Sequence, residues 1–259
     1  MLESFHIAAT GMHGQQAYVD MIANNLANIN TTAFKKSNIN FEDLVYRQIV
    51  SPASLVSKDQ VINSLGAGTA VSGISKVFTQ GEIKNTERQL DVAIQGDGFF
   101  EALLPDGSYA YTRTGSLQLN ADGLLSTQDG NVINPTIQVP SDAQSIQIRP
   151  DGTFLVQLAG ESDFTEIGRI ELAKFINPTG LNPVGNNLYL PTDKSGDAFY
   201  GVPGEDGFGS LSQGFIESSN VNLIEELTNL ILAQRSYEMN SKVIQTADEM
   251  LGIVNNMKR

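Results

Sequence analysis

Two amino acids are missing from this 259-residue chain, which contains neither cysteine nor tryptophan. Without cysteine the chain can form no disulfide, no thiolate metal site and no cysteine nucleophile. Histidine is scarce as well, since His6 and His13 are the only two. From residue 14 onward the chain therefore lacks the histidine that a Ser-His-Asp type of catalytic site needs.

Long apolar runs are also missing. No stretch approaches the roughly 18 consecutive apolar residues that predict a membrane-spanning helix. The N-terminus, MLESFHIAATGMHGQQ, has neither a basic segment nor an apolar core, so it does not predict a cleavable secretory signal. We expect no membrane insertion, and either a cytoplasmic location or export by a route that needs no such signal.

Positive charge is in deficit. The chain has 16 Lys and Arg against 29 Asp and Glu, for a net charge of −13. Such a balance argues against a nucleic-acid partner, which selects basic surfaces, and against docking on anionic lipid. Apolar residues make up 41% of the chain, enough for the core of one large domain or two smaller ones.

An apolar stripe marks each end of the chain. Near the N-terminus, eight positions follow an unbroken spacing of three and four residues: Phe5, Ala8, Met12, Gln15, Val19, Ile22, Leu26 and Ile29. This spacing predicts a helix from residue 3 to about residue 30, where an asparagine cluster favours its end. Small residues beside the stripe, including Gly11 and Gly14, suggest either a close neighbouring backbone or only a weaker helix.

The last 40 residues carry the second stripe. Its apolar positions are Leu223, Leu227, Leu230, Tyr237, Ile244 and Leu251, with Gln234, Ser241 and Asp248 interrupting them. The pattern predicts a helix from Ser219 or Asn220 to about Met257, with Asn222 and Glu225 at capping-box spacing. A helix with an apolar stripe must bury it, and the candidate partners are the other terminus and other copies of the chain.

Between the two stripes the hydrophobic period changes to two. Leu90, Val92 and Ile94 alternate with Asp91, Ala93 and Gln95, and Asp-Gly occurs six times, beginning at residues 97, 106, 122, 129, 151 and 206. Asp-Gly between alternating runs is a strong hairpin signal, which predicts mainly antiparallel β structure. Residues 46–68 show neither period and predict an extended arm or a long hairpin.

The chain shows no pattern typical of catalysis or of cofactor binding. His6 and His13 are seven residues apart, without the i, i+4 spacing of a helical zinc site, and no phosphate-binding loop or EF-hand loop occurs. We therefore expect no catalytic, cofactor-binding or metal site and no enzymatic activity. Among 29 acidic residues, a carboxylate pair of a cell-wall hydrolase stays open as an alternative.

Together these patterns predict an α+β protein. Its long N- and C-terminal helices form a coiled-coil-like domain, and its central domain is mainly antiparallel β. The expected boundaries are 1–45 with 209–259 for the helical domain, 46–68 for the arm and 69–208 for the β domain.

Five segments resemble the bacterial flagellar rod and hook proteins. They are ANNLANINTTAFKKS (23–37), FTQGEIKNTERQLDVAIQGDGFF (78–100), YTRTGSLQLNADGLL (111–125), FINPTGLNPVGNNLY (175–189) and ESSNVNLIEELTNLILAQRSYEMNSKVIQTADEML (217–251). The segments occur in the order of that family and cover most of the chain. Length, β domain and arm are most similar to the distal-rod members, with proximal-rod members as the alternative.

The resemblance implies a structural subunit of the flagellar basal-body rod, exported by the flagellar type III apparatus without a cleavable signal. Such subunits stack helically into a hollow shaft that crosses the periplasm, transmits torque to the hook and serves as an export channel. The implied partners are copies of the same chain, proximal rod proteins, the hook protein or hook-side junction, and the outer-membrane and peptidoglycan ring proteins.

The terminal stripes are then the expected assembly interface. Its predicted residues are Phe5, Met12, Val19, Ile22, Leu26, Ile29, Leu223, Leu227, Leu230, Tyr237, Ile244 and Leu251.

Overall fold

A computed structural model of the chain describes residues 2–44, 47–49, 63–160 and 163–257. A long helix lies at each end of this part of the chain, and the strands between them pair mainly antiparallel. The predicted α+β class is therefore confirmed. Within the described residues neither helix is long and apolar enough to cross a membrane.

The chain divides into two compact units, each built from separate stretches of sequence. The first unit consists of Met1–Ala27, Ser37–Ser75 and Asn222–Arg259. The second unit consists of Asn28–Lys36 and Lys76–Val221. The domain boundaries at 45, 68 and 208 stay a prediction.

The first unit contains both helices, α1 (Leu2–Ala27) and α2 (Leu223–Met257). Helix α2 begins at Leu223, a few residues later than the predicted start at Ser219 or Asn220. Asn222 caps it, because its Oδ1 accepts hydrogen bonds from the N–H groups of Ile224, at 3.0 Å, and Glu225, at 3.4 Å. The side chain of Asn220 has other partners, the backbone oxygens of Val77 and Thr79, and so does not cap the helix.

The rest of the first unit is a β hairpin. Its strands are β1 (Ser37–Asp43), β2 (Arg47–Ile49), β3 (Asn63–Leu65) and β4 (Thr69–Lys76). Strand β1 pairs with β4, and β2 pairs antiparallel with β3. The chain therefore folds back on itself around the predicted arm, whose middle, residues 50–62, lies outside the described residues.

The second unit contains the other 16 strands in five sheets. They are β5 (Ile83–Asn85), β6 (Val92–Gln95), β7 (Phe100–Leu103), β8 (Tyr109–Thr112), β9 (Leu117–Leu119), β10 (Leu125–Thr127), β11 (Val132–Asn134), β12 (Ala143–Ile148), β13 (Thr153–Leu158), β14 (Phe164–Arg169), β15 (Leu172–Lys174), β16 (Asn182–Gly185), β17 (Leu188–Leu190), β18 (Phe199–Gly201), β19 (Ser210–Gln213) and β20 (Phe215–Glu217).

The largest sheet has seven strands in the order β16-β17-β8-β7-β11-β10-β9. A three-stranded sheet has the order β12-β13-β14, and the remaining strands pair as β15-β18, β19-β6 and β20-β5. The edge strand β16 is exposed along its length, contains Pro183, and shifts register between Pro183 and Gly185 where it pairs with β17.

The Asp-Gly turns account for much of this topology. Every one of the six glycines has positive φ, the conformation that such turns require. Four of the six pairs, beginning at Asp106, Asp122, Asp129 and Asp151, join strands that are hydrogen-bonded to each other. The pairs at Asp97 and Asp206 instead connect strands of different sheets.

The core of the second unit lies where these sheets face one another. Large apolar side chains from several sheets are almost fully buried there, among them Ile94, Phe100, Phe154, Leu172 and Leu211. A separate aromatic cluster packs edge to face, with ring centroids 4.8 to 6.3 Å apart, and consists of Phe78, Phe99, Tyr111, Phe175 and Tyr189.

Candidate functional site

The first unit is built around the packing of α1 on α2. Ile22 is completely buried there together with Met21, Ile39 and Ala233, and the side chains of Val19 and Leu230 pack against this cluster. The two helices are antiparallel, because Asn25 near the end of α1 contacts Glu226 near the start of α2, whereas Gly11 lies opposite Asn240.

The side of α2 that faces α1 is lined by small and polar residues. Glu226, Ala233, Asn240 and Ala247 recur every seven residues, and Glu226, Ala233 and Ala247 are no more than 3% exposed. A Cβ added to Gly11 would lie 2.9 Å from the amide of Asn240. The close approach suggested for this glycine is therefore to a side chain of α2.

The buried polar groups of this helix pair bond to one another. The Asn25 amide donates to the carboxylate of Glu226, at 3.4 Å, and to the backbone oxygen of Ser37, at 3.0 Å. The N–H of Ser37 donates to Asn25 Oδ1 at 2.8 Å. Asn25 thus joins α1, α2 and the start of β1 through one side chain, which makes it a determinant of the helix packing that the apolar stripe does not reveal.

The predicted interface residues divide by their exposure. Ile22 is fully buried, and those that are half-buried are Phe5, Met12, Val19, Leu26, Leu230, Ile244 and Leu251. Leu223, Leu227 and Tyr237 are 46%, 41% and 45% exposed. Ile29 lies beyond the end of α1, in the second unit, because the helix stops at Ala27.

Helix α2 carries far more exposed apolar surface than the rest of the described chain. Of the 24 exposed large apolar side chains in the described residues, twelve lie on this helix. They are Leu223, Ile224, Leu227, Ile231, Leu232, Tyr237, Met239, Val243, Met250, Ile253, Val254 and Met257. Such a helix is apolar on more than one side, and α1 covers only one of them.

The second unit contains a buried cluster of three charged groups. Lys35 Nζ lies 2.6 Å from Oε1 of Glu217, and Arg113 Nε lies 2.9 Å from Oε2 of the same carboxylate. All three side chains are at most 4% exposed. The remaining donors bond to backbone oxygens, those of Arg113 to Gly96 and Gly98 and that of Lys35 to Thr79.

Burial and neighbouring charges shift the pKa values of Lys35 and Glu217. Burial above all lowers the pKa of Lys35 to about 8, and the nearby Arg113 charge lowers it further against the opposing effect of Glu217. Burial alone would raise the pKa of Glu217, but the charges of Arg113 and Lys35 outweigh it and hold that pKa below its ordinary value. The cluster thus contains two cations for one carboxylate.

The Lys35 shift predicts how stability depends on pH. Its pKa is about 8 in the folded chain and 10.5 when unperturbed, so between these values the unfolded chain binds more protons. The contribution of Lys35 to the free energy of unfolding therefore rises as the pH increases from about 8 to about 10.5. In urea unfolding, the wild-type chain should gain stability relative to Lys35→Met over this window. An unchanged difference between the two proteins would contradict the shift.

The other buried carboxylates of the second unit are also bound by the chain itself. Asp91 accepts hydrogen bonds from Arg88 and Thr86. Glu101 accepts them from Tyr111, Tyr200 and Asn134. His6 and His13 are exposed on α1, and within the described residues no group of His, Asp and Glu could hold a metal ion.

Three family models match separate parts of the chain. "Flagella basal body rod protein" matches residues 5–35, "Flagellar hook protein FlgE/F/G D1 domain" matches 93–156, and "Flagellar basal body rod FlgEFG protein C-terminal" matches 212–257. A protein named flagellar basal-body rod protein FlgG from Borreliella burgdorferi is 45% identical over the whole of both chains. The chain belongs to the flagellar basal-body rod protein family.

Two further relatives have the same name. The FlgG of Agrobacterium fabrum is 43% identical over 99% of this chain and its own full length. That of Bacillus subtilis is 39% identical over both full lengths. The predicted membership of the rod and hook family is confirmed, and none of the three matching family models describes an enzyme.

The segments that match the family models include residues of both helices and of the buried charge cluster. The N-terminal family match covers α1 from Phe5 and continues to Lys35 of the buried charge cluster. The C-terminal match covers Glu217 and all of α2. Sequence patterns did not reveal the pairing of Lys35 with Glu217, because a linear sequence does not distinguish a buried lysine from an exposed one.

Proposed function

We propose that this chain is the distal-rod subunit of the flagellar basal body, which polymerises helically into a hollow shaft. In this proposal the shaft crosses the periplasm, transmits torque to the hook and provides the channel for exported subunits. The paired terminal helices form a coiled-coil-like inner tube, and the β-rich second unit forms the outer layer.

The exposed apolar surface of α2 carries the proposal. A helix with twelve exposed large apolar side chains has more apolar surface than one antiparallel neighbour buries. In a tube of packed subunits, helices of adjacent copies cover the sides that α1 leaves open. Burial contributes about 25 cal/mol for each Å² of apolar surface removed from water, and this term favours assembly through the helix.

The predicted interface residues fit two kinds of contact in this proposal. Ile22, Val19 and Leu230 belong to the apolar cluster within one copy. Leu223, Leu227 and Tyr237 are exposed in the single chain and are assigned to contacts between copies. The half-buried residues Phe5, Met12, Leu26, Ile244 and Leu251 are assigned to both.

The position in the rod implies the remaining partners. We propose contacts with proximal rod proteins at one end of the shaft and with the hook protein or hook-side junction at the other. Around the shaft, the outer-membrane and peptidoglycan rings face the acidic β-rich layer. Export of the subunit proceeds through the flagellar type III apparatus.

Negative-stain electron microscopy of the purified chain, concentrated stepwise, tests the proposal. We expect short rods or tubes with a central channel, appearing above a critical concentration. The matched sample is the chain with Leu227→Asp, prepared and concentrated in the same way. A wild-type chain that stays monomeric at millimolar concentration, or that forms only amorphous aggregates, would contradict the proposal.

A further inference from the structure

Methionine is confined to the two ends of this chain. The six methionines are Met1, Met12, Met21, Met239, Met250 and Met257, and none lies between residues 22 and 238. Methionine and cysteine are the side chains that peroxide oxidises at sulfur, and cysteine is absent from the chain. Oxidation at sulfur can therefore modify the terminal segments of this protein, whereas the β-rich second unit offers no sulfur atom.

Three of these methionines form a row along α2, here called the methionine row. Met239, Met250 and Met257 are 61%, 50% and 82% exposed. Their spacings of 11 and 7 residues are close to three and two whole helical turns, so the three side chains start within about 20° of one another around the helix. Asn240, on the side that faces α1, is about 100° away, so α1 leaves the row uncovered.

Met21 of α1 lies in the opposite environment. It is 7% exposed and belongs to the buried cluster around Ile22. Its sulfur lies 3.1 Å from Nδ2 of Asn25, which donates a hydrogen bond to it. Because the susceptibility of a sulfur atom to oxidation follows its exposure, Met21 is a protected reference within the same chain for the exposed row.

We propose that the methionine row is a modification site, at which hydrogen peroxide converts Met239, Met250 and Met257 of the free subunit to sulfoxides and thereby blocks assembly. In each reaction a lone pair of the sulfur attacks one peroxide oxygen, an S–O bond forms, the O–O bond breaks, and the second oxygen leaves as water. The sulfur is oxidised by two electrons, which the peroxide takes up. This inference rests on the proposed function and specifies a chemical control of it.

The effect on assembly follows from the change in polarity. A thioether is apolar and flexible, whereas a sulfoxide is polar and chiral, with an oxygen that water hydrates. A neighbouring copy that covers a sulfoxide would remove this water without supplying a partner, which weakens the contact. Since the second unit contains no methionine, the modification should block assembly and leave the β structure folded.

Peroxide treatment of the free full-length chain tests the inference. Peptide mass spectrometry locates the sulfoxides, and centrifugation with electron microscopy gives the critical concentration for rods. We expect the methionine row to be oxidised before Met21, and the critical concentration to rise by at least about tenfold over the untreated sample. Methionine sulfoxide reductases specific for each of the two epimers, supplied with dithiothreitol, should restore the untreated value.

Two variants separate the row from the other methionines. The row variant has Met239→Leu, Met250→Leu and Met257→Leu, which keeps apolar side chains of similar volume but contains no sulfur on α2. The matched control has Met12→Leu and Met21→Leu. Each variant is compared with its own untreated sample, so that an effect of the substitutions alone cancels. Peroxide should leave the row variant almost unchanged and should affect the control variant as it affects the wild-type chain.

Undiminished rod formation by a wild-type chain with an oxidised row would overturn the inference and leave the proposed function intact. The same holds for an equal peroxide effect in the row variant, or for a row no more oxidised than Met21. If the untreated row variant formed no rods, the control variant decides: a loss of rods that the reductases reverse supports the inference, and no loss overturns it. No rods from the untreated wild-type chain would overturn both.

Discussion

Replacement of Glu217 by glutamine is expected to lower the free energy of unfolding by about 3–5 kcal/mol, as for the removal of one partner from a buried ion pair. Glutamine has nearly the same shape but no charge, so Lys35 and Arg113 would lie buried without an anion between them. The loss should appear as a lower midpoint of urea unfolding, which is monitored through the far-UV circular dichroism of the sheets.

Two further variants make this prediction specific. Glu82→Gln removes an exposed carboxylate from a residue whose backbone oxygen accepts a hydrogen bond from Ser218, next to Glu217, and it should change stability by less than about 0.5 kcal/mol. Lys35→Met removes one cation of the cluster and leaves Arg113 balanced by Glu217, so it should cost less than Glu217→Gln. If Glu217→Gln and Glu82→Gln were equally stable, the cluster would contribute nothing to the fold.

Replacement of Leu227 by aspartate is expected to abolish rod formation while both units stay folded. Leu227 is 41% exposed in the single chain, so the substitution creates no buried charge there. In the proposed assembly a neighbouring copy covers this position, and burial of an unpaired carboxylate costs several kcal/mol. Each 1.4 kcal/mol changes an equilibrium constant tenfold, so the critical concentration should rise by at least about 100-fold.

Centrifugation separates assembled from unassembled protein, so the concentration left in the supernatant measures the critical concentration directly. Val184→Asp is the matched control, since Val184 is an exposed apolar residue at 46% but lies on strand β16 of the second unit. It should assemble like the wild-type chain. Unchanged assembly of Leu227→Asp would remove this residue from the proposed interface, whereas unfolding of the variant by circular dichroism would show that it acts within one copy.

The sequence predicts where the helices and strands lie better than it predicts which of their faces are buried. Both helices and the four Asp-Gly hairpins follow from local periodicity and turn chemistry, which depend on residues close in the sequence. The alternation at Val92–Gln95 predicts an outward Ala93, yet Ala93 is 1% exposed and Asp91 is 0% exposed. Packing of one sheet against another decides which faces are buried, and the sequence of a single strand does not show this packing.

The packed side of α2 illustrates the same limit. The apolar stripe includes Leu227, which is 41% exposed, whereas its neighbour Glu226, about 100° around the helix, is buried on the side that faces α1. Alanine, asparagine and glutamate do not stand out in a hydrophobic pattern. They line this side because small side chains let two helices approach closely, and because Asn25 provides a donor for Glu226.

The edge strand β16 limits unwanted strand pairing between copies, which matters for a subunit that must assemble in one way only. An exposed strand with free N–H groups invites further strands to join it, which leads to disordered aggregates. Pro183 has no N–H to offer, and the register shift before Gly185 interrupts the regular spacing of the strand. The largest sheet thus ends in a strand that discourages growth, which leaves orderly growth to the helices.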